Sequence, residues 1–233
     1  MAVILNIETS TNVCSVAVTA EGLVLKHYED FQGQNHAALL SGYIKACLDH
    51  LADHDMKLDA VAVSLGPGSY TGLRIGLSEA KGLAYALNIP LIGIDTLQLM
   101  AVSVMFNHEV SPDALFVPMI DARRMEVYTA IYDMTLNTLL SPTPLILDEI
   151  SYSEWLDNSD HQEILFFGNG SDKARELLEK RPNARFIADV NPLAVDMMAL
   201  ADRAYSQKDF LDLAYSVPSY LKEFQATKPK NLI

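Results

Sequence analysis

Val3-Ile4-Leu5-Asn6-Ile7-Glu8, then Thr9-Ser10-Thr11-Asn12, then Val13-Cys14-Ser15-Val16-Ala17-Val18 follow one another without interruption at residues 3–18. Val3, Leu5 and Ile7 alternate as one face of a strand does, and a second alternation runs from Val13 to Val18. Four polar residues are a turn, too short for a crossover, so the two strands must pair antiparallel. Glu21-Gly22 is a second turn, and Leu23-Val24-Leu25 opens a third strand. The chain therefore begins with three antiparallel strands.

Working outward, Ala37, Leu40, Ile44, Cys47, Leu48 and Leu51 recur at three- and four-residue steps and predict a helix over residues 35–51. Leu39 and Tyr43 start a second apolar stripe on that helix. A strand from Ala60 to Leu65 ends in Gly66-Pro67-Gly68-Ser69, which cannot continue it. A helix over 70–87, a strand over 91–94 and a helix over 96–106, with Thr96 as its expected N-cap, complete the half. The order βββ-α-β-α-β-α predicts an α/β fold, a mixed sheet with helices on its faces. After Pro112 come strands over 115–120, 126–132 and 164–167 and helices over 172–180 and 193–204. Pro142 and Pro144 interrupt the middle of this half, and the tail from Pro218 has no assigned element. The expected domains are residues 1–107 and 108–233, with the tail packing back on the first.

Composition narrows the function. Half of the 233 residues are hydrophobic, and 17 Lys and Arg face 30 Asp and Glu, a net charge of −13. A protein that is the main grip on a nucleic-acid backbone carries a basic stripe, and the largest basic cluster here is Arg123-Arg124. The apolar runs are far shorter than the about 20 residues that span a bilayer, and the N-terminus enters a strand directly, with no secretory signal. Cys14 and Cys47 lack CxxC spacing and read as two buried thiols. The expected location is cytoplasmic.

Three motifs invite chemistry. Gly66-Pro67-Gly68-Ser69-Tyr70-Thr71-Gly72-Leu73-Arg74-Ile75-Gly76 joins a strand to a helix, where backbone amides can hold phosphate. It lacks the Gly-Lys-Ser/Thr of a P-loop and the GxGxxG fingerprint. Gly72, Gly76 and Ala80 equally form a small-residue strip for close approach of another backbone. His50 and His54 lie at i and i+4, without the Glu of an HExxH site or an evident third ligand. No metal is expected there. Asp121-Ala122-Arg123-Arg124-Met125-Glu126-Val127-Tyr128 turns between two strands; its charges suit either a ligand or an ion pair that fixes the hairpin. No Ser–His–Asp or Cys–His constellation stands out.

Residues 4–11 with 14–18, the stretch 66–76, residues 121–128 and, more weakly, Pro218-Ser219-Tyr220-Leu221-Lys222 together resemble one family, TsaB or YeaZ. The motif positions are Thr9, Ser10, Gly66, Gly68, Ser69, Thr71, Gly72, Arg74, Asp121, Arg123 and Arg124. The resemblance implies two related domains of the actin, sugar-kinase and heat-shock-ATPase superfold. It implies a non-catalytic subunit that supports the catalytic paralogue TsaD in threonylcarbamoyl transfer to a tRNA adenosine beside the anticodon. An ATP-hydrolysing subunit, TsaE, completes that complex. It further implies contact through the two long N-terminal helices, with expected contacts at Leu39, Tyr43, Ile44, Leu73, Gly76, Leu77 and Ala80. The same face allows a homodimer, and tRNA would be reached only indirectly. No cofactor is expected in the isolated chain, while the subunit contact leaves room for a nucleotide. Glu8 stands where the family has Asp, and Lys222 where it has Arg. The competing readings are a small-molecule phosphotransferase on the same fold, which would need a second Gly-rich loop such as Gly168-Asn169-Gly170-Ser171, and an inactive glycoprotease-like adaptor.

Overall fold

The computed structural model describes residues 2–33, 35–157 and 163–222. The opening stretch folds as read: β1 (Ile4–Glu8), β2 (Cys14–Ala20) and β3 (Leu23–Asp30) form an antiparallel meander. β4 (Ala60–Gly66) and β5 (Leu91–Asp95) add to the other side of β1 in parallel, giving the order β3-β2-β1-β4-β5. Parallel neighbours need a crossover. Helices α1 (His36–Asp53) and α2 (Tyr70–Leu87) supply it, and both pack on one sheet face.

The second sheet repeats this plan. β6 (Leu115–Asp121), β7 (Glu126–Tyr132) and β8 (Thr138–Ile146) form a meander, and β9 (Ile164–Phe167) and β10 (Ala184–Ile187) follow in parallel, in the order β10-β9-β6-β7-β8. Its crossover helices are short: α4 (Ser153–Leu156) and α5 (Ser171–Leu178). β6 occupies the place of β1, so the second sheet repeats the strand order of the first, the two related α/β halves that the resemblance implies.

Between the sheets lies α3 (Thr96–Asn107). Leu97, Met100, Ala101 and Val104 pack on the second sheet, while Leu99 and Val102 pack on the first. A helix apolar all round belongs in such a position. Its N-cap is Asp95, whose carboxylate accepts from the Gln98 amide at 2.8 Å, rather than Thr96, which is buried within the first turn. After a 3-10 turn at Ala194–Met197, α6 (Met198–Gln207) packs against the first sheet beside α3. The tail continues there. Leu211 N–H donates to the Leu91 carbonyl at 2.8 Å, and Ser219 N–H to that of Leu65 at 2.7 Å.

β8 and β10 were not foreseen as strands. Pro142 and Pro144 lie in β8, which is an edge strand, so their missing N–H groups leave no ladder bond unmade. β10 is four residues long and holds one fully buried residue, Ile187, so it carries no alternation to read.

Candidate functional site

The Gly66–Gly76 stretch is the first place where chemistry was considered, and the chain's own β1–β2 turn packs into it. Ser69 N–H donates to the Ser10 carbonyl at 2.6 Å, and the Ser69 hydroxyl caps α2 by accepting from the Gly72 amide at 3.2 Å. A Cβ on Gly68 would lie 2.2 Å from the Ser10 carbonyl oxygen, and one on Gly72 2.1 Å from that of Thr9. A Cβ on Gly76 would meet Thr9 Oγ1 at 2.2 Å. Gly68, Gly72 and Gly76 are therefore glycines because the β1–β2 turn presses against α2 and its entry. Close packing, the second of the two readings, describes it.

Thr9 and Ser10 are fully buried in this contact. Glu8 is buried too and folds back on its own turn, Oε1 accepting from the Ser10 amide while Oε2 has no partner among the described residues. Burial pushes its pKa up to about 7. The longer side chain at this position thus reaches its own backbone. Among the described residues no three His, Cys, Asp or Glu side chains gather as a metal site. The His50 and His54 rings lie tilted at 46° with centroids 4.4 Å apart, and His54 Nδ1 bonds the His50 carbonyl at 2.8 Å.

The second place is the outer face of α1 and α2. A groove of about 630 Å³ runs between them, lined by Ala37, Ile44, Ile75, Ser78, Gly82 and Leu83, with Arg74 at its border. Ser41 Oγ donates to Glu79 Oε1 at 2.5 Å and ties the helices together. Of the seven expected contact residues, Ile44 lines this groove, Leu39 lies half-buried, and Tyr43 stacks on Tyr28 at 5.2 Å. Leu73, Gly76, Leu77 and Ala80 are buried inside the chain, against the first sheet and the β1–β2 turn, and present no surface. At 100° per residue, the positions open to a partner lie on the other side of the helix. They are Ile75, Ser78, Gly82 and Leu83. Gly82 and its counterpart Gly42 on α1 each have open space where a Cβ would be. A mid-helix glycine costs about 0.5–1 kcal/mol relative to alanine, and nothing among the described residues requires either one.

The third place is the β6–β7 hairpin. Its loop closes with Ala122 N–H to the Glu126 carbonyl at 3.1 Å and Glu126 N–H to that of Arg123 at 3.2 Å. Arg123 and Arg124 take left-handed backbone, φ 71° and 51°. Such a conformation costs an L-residue about 1–2 kcal/mol. Of the two readings left open for these charges, an ion pair between Asp121 and either arginine is not formed among the described residues. That carboxylate accepts from the Arg123 amide at 2.6 Å and pairs with Lys173 at 2.5 Å, while Asn169 Oδ1 accepts from the Asp121 amide. Lys222 from the tail pairs with Glu126 at 2.5 Å, linking the tail to the second sheet. Two residues earlier, Tyr220 stacks on Tyr70 and accepts from Arg74 Nε at 3.0 Å. Thr71 is exposed beside them. Asn169 belongs to the Gly168–Ser171 loop considered above for phosphate, and here it serves the hairpin instead; Lys173 was not foreseen, a polar residue in the first turn of α5 with nothing local to mark it.

A family model described as TsaD, tRNA N6-adenosine threonylcarbamoyltransferase, matches residues 29–231. The tRNA threonylcarbamoyladenosine biosynthesis protein TsaB of Bacillus subtilis (strain 168) is 29% identical over 229 residues, which cover 96% of this chain and 95% of that one. The protein of the same name from Escherichia coli (strain K12) is 29% identical over 229 residues, covering 97% and 96%. The solved structure of YeaZ from Pseudomonas aeruginosa aligns with a TM-score of 0.76 at 27% identity, over 95% of this chain and 100% of that chain. A match to the TsaD-type model over most of the length, with full-length relatives named TsaB and a YeaZ structure of the same shape, places this chain in the TsaB/YeaZ family.

Proposed function

We propose that this chain acts in tRNA threonylcarbamoyladenosine biosynthesis as a non-catalytic subunit, docking a TsaD-type catalytic relative on the groove between α1 and α2. The observation that carries this is the largely apolar groove between α1 and α2, with Gly82 in its lining and open space where a Gly82 Cβ would be. Small residues let a second helix pair approach closely, as a helix-bundle contact requires. The same surface in two copies accounts for a homodimer when the partner is absent. The nucleotide-loop position of the fold is filled by the chain's own turn, which favours a supporting role over phosphotransfer. The role needs no resident cofactor and belongs to the cytoplasm, where tRNA is modified. No helix of the described residues is long and apolar enough to cross a membrane.

Reconstitution tests the role. The purified chain, a TsaD-type relative and a TsaE-type ATPase are combined, and threonylcarbamoyl transfer to tRNA is followed with each protein omitted in turn. The expected result is transfer that requires this chain, with no turnover of ATP or threonylcarbamoyl-adenylate by this chain alone. Full transfer in its absence would overturn the reading.

A further inference from the structure

The hairpin between β6 and β7 carries two features that the docking role leaves unused. Arg123 and Arg124 are exposed on consecutive left-handed residues, a backbone that Gly or Asn adopts far more readily. Among the described residues, neither guanidinium has a hydrogen-bond or ion-pair partner. Three acids of this region are taken by lysine or arginine partners: Asp121 by Lys173, Glu126 by Lys222 and Asp172 by Arg175. The apex therefore presents two guanidinium groups free to pair with an incoming anion, in a chain whose net charge is −13.

We propose that this apex binds the phosphodiester backbone of RNA directly. The inference rests on the tRNA-modifying role, and it departs from the expectation that tRNA is reached only through the partner. The chemistry selects the ligand. Guanidinium groups match phosphate oxygens in a planar, two-pronged geometry. Both arginines are exposed at the hairpin turn, and the hollows at the α1–α2 face and beside Ala2 and Asp202 are lined by other residues. A free nucleotide is normally held in a concave pocket that buries most of it, whereas a polymer's phosphates are contacted from a protruding surface. Neutralising RNA phosphates also releases condensed counterions, a gain that an acidic protein partner does not offer.

The test replaces both arginines by asparagine (Arg123→Asn with Arg124→Asn), which removes the charge but tolerates left-handed backbone. Unmodified tRNA, fluorescently labelled, is titrated with the complex of this chain and its TsaD-type relative over a range of salt concentrations. The expected result is about tenfold weaker binding and a log–log salt slope shallower by about 1.5, as the loss of two phosphate contacts predicts. Melting temperature and affinity for the relative should be unchanged. Unaltered tRNA affinity and slope would overturn the proposal. Lost affinity for the relative would also overturn it, making the arginines a protein contact. If the wild-type chain fails to join the relative at all, the docking role falls, and the proposal is judged on the isolated chain at about 50 mM salt. There the wild type should bind tRNA and the double variant should not; equal behaviour overturns it.

Discussion

The two faces of α2 carry the same residue type to opposite ends. On the inner face and the turn before it, Gly68 and Gly72 lie against backbone carbonyls and Gly76 against Thr9, each closer than a Cβ allows. On the outer face, Gly82 meets nothing among the described residues, and neither does the exposed Gly42 of α1. The inner glycines let the chain close on itself. The outer ones weaken α1 and α2 with no return among the described residues, which suits the proposed docking face. Spacing along the helix does not separate the two faces, because glycine shows no preference for either. What separates them is the atom a Cβ would strike.

The sharpest break of this comparison is one substitution made twice. Gly72→Ala places a methyl 2.1 Å from the Thr9 carbonyl oxygen, an atom that cannot move without shifting the turn. It should destabilise the protein by about 3 kcal/mol in urea denaturation, at the upper end for overpacking. Gly82→Ala should stabilise by about 0.5–1 kcal/mol, since it fills open space and removes helix entropy. Equal signs would show that the faces do not differ.

Glu8 sharpens the inner half. Its carboxyl holds a proton up to about 7 when folded, against an ordinary 4.5. Between those values the folded state binds more protons, so stability is full below about 4.5 and falls as pH rises toward 7. The loss is on the order of 3 kcal/mol. Glu8→Gln should remove that part of the difference in unfolding free energy between pH 5 and pH 8. An undiminished difference would place the titration elsewhere.

On the outer half, Gly82→Leu should hold the chain monomeric, by sedimentation, at concentrations where the wild type self-associates. Its melting temperature should not fall. The smallest effect concerns the link between the sheets. Lys222 is 39% and Glu126 18% exposed, so Lys222→Ala should cost no more than about 1 kcal/mol.

Much of the fold was legible because it rests on periodicity. The turn at Thr9–Asn12 is too short for anything but an antiparallel pair, and the crossover lengths of α1 and α2 imply parallel neighbours. The family motifs were legible as a set of residues. The proposed contact residues were legible less well: five of the seven, Ile44, Leu73, Gly76, Leu77 and Ala80, are buried. Leu73, Leu77 and Ala80 are the stripe that any amphipathic helix buries, and Gly76 shares their spacing. The contacts at the hairpin, with Lys173 and Lys222, join residues 52 and 96 positions from their partners. Local patterns do not encode such pairs.

The central claim, that the outer face of α1 and α2 docks a catalytic relative, is tested most directly by calorimetric titration of that relative into wild type and Gly82→Leu. The account predicts a complex with the wild type and at least about a hundredfold loss for Gly82→Leu, a difference of about 2.7 kcal/mol, with the variant fully folded. Wild-type affinity in a folded Gly82→Leu variant would contradict it and move the contact to another surface.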